Sequence, residues 1–174
     1  YAALLGNLKL DPLLARRTAE LVANSQPPPP VALGQKQTVQ VRTTAPVEIR
    51  RIEDLLAIRG YTPEAVERLR EFVIVLPEKT KVNVNTAPAE VISALVERYT
   101  VSDALGLVAR RKQASYRDVS QFTEQLRGNQ LIDTESVDVK SEYFLVQSKI
   151  RLDRANLDAE ALVERRLGSG IAPT

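Results

Sequence analysis

The chain has 174 residues, 44% hydrophobic and 26% charged, with 24 Lys and Arg against 22 Asp and Glu for a net charge of +2. That is enough apolar material for one sizeable core or two small ones, and too little charge bias to demand a polyanionic partner. With no histidine and no cysteine, imidazole acid–base catalysis, thiol nucleophiles, disulfides and thiolate metal sites are excluded.

No paired carboxylates or lysine-activated serine stand out either, so no catalytic residue, no cofactor and no enzyme activity is expected. Methionine is also absent. The chain is therefore expected to be an internal piece of a longer protein, with room for an N-terminal anchor upstream. No apolar run approaches the roughly 20 residues of a membrane span, and no basic-then-apolar leader opens the chain.

In chain order, Leu4, Leu5 and Leu8, then Leu13, Leu14, Thr18, Leu21 and Val22, have helical spacing on either side of Asp11-Pro12. A turn-and-restart signal between two such runs predicts a helical pair. Residues 24–47 read as a Pro-rich loop: Pro27 to Pro30 form an extended spacer, and Thr38-Val39-Gln40-Val41-Arg42 alternates like a short strand.

Residues 48–127 read as two helix–tight turn–helix units. Ile52, Leu55 and Leu56 lead to Gly60, a left-handed cap, and Thr62-Pro63 restarts a helix carrying Ala65, Val66, Leu69 and Val73. The apolar segment Val73 to Pro77 hands over to Val82-Asn83-Val84-Asn85-Thr86-Ala87-Pro88-Ala89-Glu90. This run alternates like a strand, caps a helix with Thr86, places Pro88 in the first turn, and continues into the stripe Val91, Ile92, Leu95, Val96 and Tyr99. Thr100 with Asp103, and Ser115 with Asp118, have capping-box spacing ahead of two further helices.

Residues 128–167 change period. Lys140 to Leu152 reads as a long strand with Phe144, Val146, Ile150 and Leu152 on one face and Gln147, Lys149 and Arg151 on the other. A turn at Asp153 to Ala155 returns the chain with Leu157, Ala159, Ala161 and Val163 as the inward set, giving a β-hairpin whose apolar face needs a cover. Residues 168–174 read as a flexible tail. The acids Asp153, Asp158 and Glu160 with Asn156, and Asp133, Glu135 and Asp138, lack the glycine and spacing of a calcium loop and read as turn formers.

The Val-Asn-Val-Asn-Thr-Ala-Pro-Ala-Glu run and the tandem units resemble helix-hairpin-helix DNA-binding modules. In that family a hydrophobic-Gly-hydrophobic-Gly turn presents backbone N–H groups to phosphate. Here Ile58-Arg59-Gly60-Tyr61-Thr62 has one such glycine and Arg98-Tyr99-Thr100-Val101-Ser102 has none, so phosphate binding is expected to be weak and no nucleic-acid partner is expected. A DNA-binding module is the alternative reading.

A second resemblance covers Leu4 to Arg165. Leu10-Asp11-Pro12-Leu13-Leu14, Glu53-Asp54-Leu55-Leu56 with Gly60, Val82 to Glu90, Ser141-Glu142-Tyr143-Phe144-Leu145-Val146 and Leu162-Val163-Glu164-Arg165 together resemble the K subunit, a minor pseudopilin of bacterial type II secretion systems. The resemblance implies an α+β architecture: a helical domain at 1–127, shaped like helix-hairpin-helix and sterile-alpha-motif modules and inserted in a pilin-like sheet, of which the 128–167 hairpin remains.

It further implies a structural subunit at the pseudopilus tip, partnered by the I and J minor pseudopilins. Anchoring would be through an upstream helix in the inner membrane, with this part in the periplasm and secreted substrates as a further partner class. Calcium accompanies the family, but Glu20-Leu21-Val22-Ala23 followed by Pro27 to Pro30 replaces the family's acidic-aromatic segment, so no ligand is assignable. For partner contacts the candidates are the exposed members of the hairpin strands, with Tyr61 and Tyr99 as turn aromatics expected near the surface.

Overall fold

The computed structural model describes residues 1–25, 49–126, 128 and 130–165. The sequence expectations at Pro27 to Pro30, Thr38 to Arg42 and the tail 168–174 lie outside these residues.

The N-terminal pair forms as its spacing requires. Helix α1 (Ala2–Asn7) and helix α2 (Leu13–Ser25) are joined by a turn in which Asp11 Oδ1 accepts from the Leu13 N–H at 2.9 Å. Leu4, Leu5 and Leu14 are buried whereas Leu13 and Val22 face outward, so the buried stripe is narrower than the run of leucines suggests. A 3₁₀ turn at Ile52–Ala57 and helix α3 (Pro63–Leu69) complete the first core: Leu5, Leu14, Ile52, Leu55, Ile58, Tyr61, Ala65, Val66 and Leu69. Thr62 accepts the Ala65 N–H at 3.3 Å and Pro63 opens α3, where its missing N–H costs nothing.

The second core has its own elements. Strand β1 (Val82–Asn83), helix α4 (Ala89–Leu95), helix α5 (Val101–Gln113), helix α6 (Val119–Thr123) and strand β2 (Val137–Asp138) surround Val84, Ile92, Val96, Ala104, Leu107, Tyr116, Phe122 and Val137. Tyr116 and Phe122 meet edge to face, with centroids 5.3 Å apart. Strands β1 and β2 pair in parallel, Val82 with Val137 and Asn83 with Asp138, a closure the sequence reading does not contain. The packed helical body accordingly runs past the boundary expected at 127, since Ile132, Val137 and Val139 join this core. The two cores are stitched by α1: Asn7 Nδ2 donates to the Glu90 carbonyl at 2.9 Å and to Ser93 Oγ at 3.2 Å on α4.

Two caps differ from expectation. Helix α4 is capped at Pro88, with no side-chain hydrogen bond, while Thr86 Oγ donates back to the Asn83 carbonyl at 3.4 Å. The reason is local: Asn83 Oδ1 accepts the Asn85 N–H at 2.9 Å and the Asn83 carbonyl accepts from the Thr86 and Ala87 N–H groups, so a turn intervenes before the helix starts. Likewise α6 starts at Asp118, which accepts the Gln121 N–H at 2.8 Å, not at Ser115. The Thr100–Asp103 box forms as read, with Asp103 N–H to Thr100 Oγ at 3.1 Å and Thr100 N–H to Asp103 Oδ2 at 3.2 Å.

Beyond Val139 the chain leaves the cores. Strands β3 (Tyr143–Leu152) and β4 (Ala155–Glu164) form an antiparallel hairpin in register from Tyr143 with Glu164 to Leu152 with Ala155. Its turn carries Asp153 at φ 49. The mix of helices with this hairpin is the expected α+β class.

Candidate assembly surface

The junction at residues 82–90, for all its polar residues, spends them internally. Asn85 Nδ2 donates to the carbonyls of Tyr116 at 2.9 Å and Val139 at 3.3 Å, and its Oδ1 accepts the Tyr116 N–H at 2.8 Å. Arg111 Nη1 donates to the Val84 carbonyl at 2.7 Å. These bonds clamp β1, the α5–α6 corner and the exit of β2 to one another. They hold a corner and present no ligand cradle.

The two hairpin turns are equally occupied. At the first, Gly60 has φ +106, and a Cβ there would lie 2.6 Å from Arg17 Nη1 and 3.0 Å from Leu14 Cδ2. Arg17 Nη1 donates to the Arg59 carbonyl at 2.7 Å and the Tyr61 N–H is bonded to the Ile58 carbonyl. Helix α2 therefore covers the glycine that a phosphate would approach. At the second, Arg98 takes the left-handed conformation, φ 54, and the Asp103 carboxylate accepts the Thr100 N–H. An anion at that turn would meet a fixed negative charge.

Tyr61 and Tyr99, expected near the surface, are both buried, at 8% and 7% exposure. The Tyr61 hydroxyl shares hydrogen bonds with Tyr1 Oη at 2.9 Å and Thr18 Oγ at 2.8 Å. The Tyr99 carbonyl accepts from buried Ser93 Oγ at 2.7 Å. For Tyr61, whose hydroxyl finds two hydroxyl partners, burying the ring gains more than displaying it, and the Tyr99 ring is part of the second core. The surface placement is thus corrected for both residues.

The acids hold local structure. Asp133 caps a 3₁₀ turn at Thr134–Ser136, accepting from the Glu135 N–H at 3.0 Å and from Ser136 Oγ at 2.5 Å, and these bonds, the Ser136 one foremost, hold its carboxyl below the usual range. Asp138 accepts the Val139 N–H at 2.6 Å. On the hairpin, Glu160 accepts from Gln147 Nε2 at 2.8 Å and Asp158 lies opposite Lys149. Among the described residues no three acidic side chains converge as a metal site.

One exposed surface is apolar. The register puts Phe144 opposite Val163, Val146 opposite Ala161, Ile150 opposite Leu157 and Leu152 opposite Ala155 on one face. Phe144, Val146, Ile150, Leu152, Leu157 and Val163 are 42–76% exposed. An apolar sheet face of this kind, interrupted by Ser148 opposite Ala159, marks a surface that another element covers. At the hairpin base the opposite face carries Leu145 and Leu162, which line a small cleft with Ile74 and Leu76. Leu162, Ile74 and Leu76 also border a groove of about 860 Å³ with Tyr1, Ile52 and Leu55. Among the described residues no helix is long and apolar enough to cross a membrane.

Two family models match the chain, both described as type II secretion system protein K: one, of the family's first domain, over residues 1–78, the other over residues 82–140. Among solved structures the chain is similar to a chain of the GspK-GspI-GspJ complex from the enterotoxigenic Escherichia coli type 2 secretion system, at 22% identity and a TM-score of 0.60. The match covers 96% of this chain and 64% of that one, so the present chain spans less than two thirds of its relative and the likeness is one of fold. No curated protein matches.

Proposed function

The chain belongs to the protein K family of type II secretion systems, and from that premise we propose that it is the helical and C-terminal part of a minor pseudopilin, a structural subunit at the tip of the pseudopilus. The observation that carries this reading is the coincidence of two family models, in order over residues 1–78 and 82–140, with a helical body that ends in a hairpin bare on its apolar face.

The physical logic runs from that face. A two-stranded ribbon with one uncovered apolar side is marginal in water. In our reading it completes a pilin-like sheet whose remaining strands and long covering helix lie upstream of Tyr1, and the helical body is an insertion carried on that sheet. The upstream helix anchors in the inner membrane and packs in the filament, with the residues described here in the periplasm. The helical body, too broad to be covered by another subunit, stops the filament growing above it.

The E. coli relative is in a complex with GspI and GspJ. By analogy we assign the I and J minor pseudopilins of the same system as partners of this chain, with secreted proteins as a further partner class. The role is steric and needs no chemistry, so we infer neither catalysis nor a resident cofactor. No calcium ligand is assigned: Asp133 caps a turn, Asp138 accepts a backbone N–H, Glu160 accepts from Gln147 and Asp158 faces Lys149. The helix-hairpin-helix alternative is disfavoured by Arg17 and Leu14 seated over Gly60.

Co-expression of this chain, joined to its upstream sequence, with the I and J subunits should yield an equimolar ternary complex in native mass spectrometry. Recovery of only the free chain, or a salt-sensitive complex with duplex DNA, would overturn the reading.

A further inference from the structure

Among the described residues neither hydrophobic core contains a residue of the hairpin, and polar contacts tie its foot to the body. Thr80 Oγ donates to Glu142 Oε2 at 3.1 Å and Asn83 Nδ2 donates to Ser141 Oγ at 2.9 Å. These two bonds tie the segment around β1 to the foot of β3. Across the foot, Arg165 closes the ribbon: its N–H donates to the Glu142 carbonyl at 2.7 Å, its Nη2 to the Ser141 carbonyl at 2.9 Å, and its guanidinium lies over the Phe144 ring at 5.4 Å from the centroid. Leu145 and Leu162 rest beside Ile74 and Leu76.

We propose that Thr80, Asn83, Ser141, Glu142 and Arg165 form a polar collar that sets the angle between the helical body and the sheet, with Arg165 as the positioning residue. Among the described residues, the hydrogen-bond and ring partners of Arg165 lie at the ribbon foot itself: Glu142, Ser141 and Phe144. By gripping the backbone of Ser141 and Glu142 it presents their side chains to Asn83 and Thr80. The collar is a conformational device distinct from the cores: it can release without either unfolding, because the chain between Val139, the last core-packed residue, and Tyr143 is the only covalent link in that direction. On the pseudopilin reading, on which this consequence rests, the collar decides how the body leans over the filament tip.

The cysteine-free chain allows a direct test by pulsed electron–electron resonance. Spin labels at Ala109→Cys on α5 and Asn156→Cys on β4 report the body-to-hairpin distance. The parent is expected to give one narrow distance peak. Thr80→Val, Ser141→Ala and Arg165→Leu together are expected to at least double its width, while the thermal midpoint of the helical circular-dichroism signal stays put. Gln147→Ala with Lys149→Ala, on the same ribbon but away from its foot, should leave the peak narrow.

Equal widths in the parent and the triple variant would overturn the proposal, as would a broad peak in the parent itself. These readings hold whether or not the chain assembles with other pseudopilins, so loss of the collar and loss of the assembly role are separately visible.

Discussion

Arg17 and Gly60 meet where α2 crosses the first hairpin turn: the guanidinium donates to the Arg59 carbonyl at 2.7 Å while lying 2.6 Å from where a Cβ of residue 60 would be. Gly60 is therefore required twice, by its φ of +106 and by what sits above it. Arg17 is the far end of a flexible side chain and can shift, so the backbone conformation and Leu14 carry most of the penalty. Gly60→Ala is expected to cost about 2 kcal/mol, measured by urea denaturation. Arg17→Ala should cost under about 1 kcal/mol and should not confer DNA binding in an anisotropy titration.

Asn85 makes both kinds of hydrogen bond across the corner it clamps. Asn85→Ala is expected to cost about 2–3 kcal/mol, because the Tyr116 N–H and two carbonyls lose their partner. Asn85→Asp keeps the acceptor but turns a carboxylate toward the Tyr116 and Val139 carbonyls. That raises the pKa of the introduced carboxyl in the folded state, so the variant should gain stability relative to its own value at neutral pH as pH falls through that raised pKa. Thermal melts between pH 7 and pH 4 check the sign.

The buried tyrosines separate ring from hydroxyl. Tyr61→Phe keeps the packing and removes the bonds to Tyr1 and Thr18, for an expected cost of about 1 kcal/mol. Tyr61→Ala empties the site and is expected to cost about 3–4 kcal/mol. Tyr61→Phe should leave assembly with the I and J subunits unchanged in a pull-down, as expected of a core residue.

Several carboxylates are held below their ordinary pKa by the fold. Asp54 accepts the N–H groups of Arg50 and Arg51 at 2.9 and 3.0 Å. Glu53, lowered first by its own backbone N–H, also pairs with Arg70 at 2.8 Å. A depressed carboxyl contributes stability above its unfolded pKa, near about 4, and loses it as pH falls through the folded value. The thermal midpoint should therefore hold from pH 7 to about 5 and decline below about 4, and Asp54→Asn should shallow that decline.

Val146→Lys places a charge on the bare hairpin face, remote from both cores. It is expected to change unfolding of the helical body by under about 0.5 kcal/mol and to raise solubility. In the chain with its upstream sequence it should abolish the ternary complex, read by native mass spectrometry.

How much of this was legible from the sequence follows the range of the forces involved. Thr62-Pro63 and the Thr100–Asp103 box could be placed because a cap is settled within four residues. The hairpin faces followed from alternation in two ten-residue strands, broken at Leu145, Ser148 and Leu162. Asn83 lies in a strand, as its alternation predicts, but its side chain also makes the turn that moves the α4 cap from Thr86 to Pro88. The burial of Tyr61 depends on α1 and α2 arriving with hydroxyls, and that of Tyr99 on the chain folding back over Ser93, neither of which any local pattern contains. The two-residue β2 was invisible because its only evidence is a partner far upstream. The proposed assembly role rests on residues that resemble a family, and the open face of the hairpin agrees with it without being sufficient to name it.

The parallel pairing of Val82 with Val137 places the entrance and exit of the second helical unit side by side. Because the two strands run the same way, the chain leaves this unit travelling in the direction in which it entered, displaced sideways by about 5 Å, the spacing of paired strands. The helical unit is thus a detour that carries the chain one strand over without turning it.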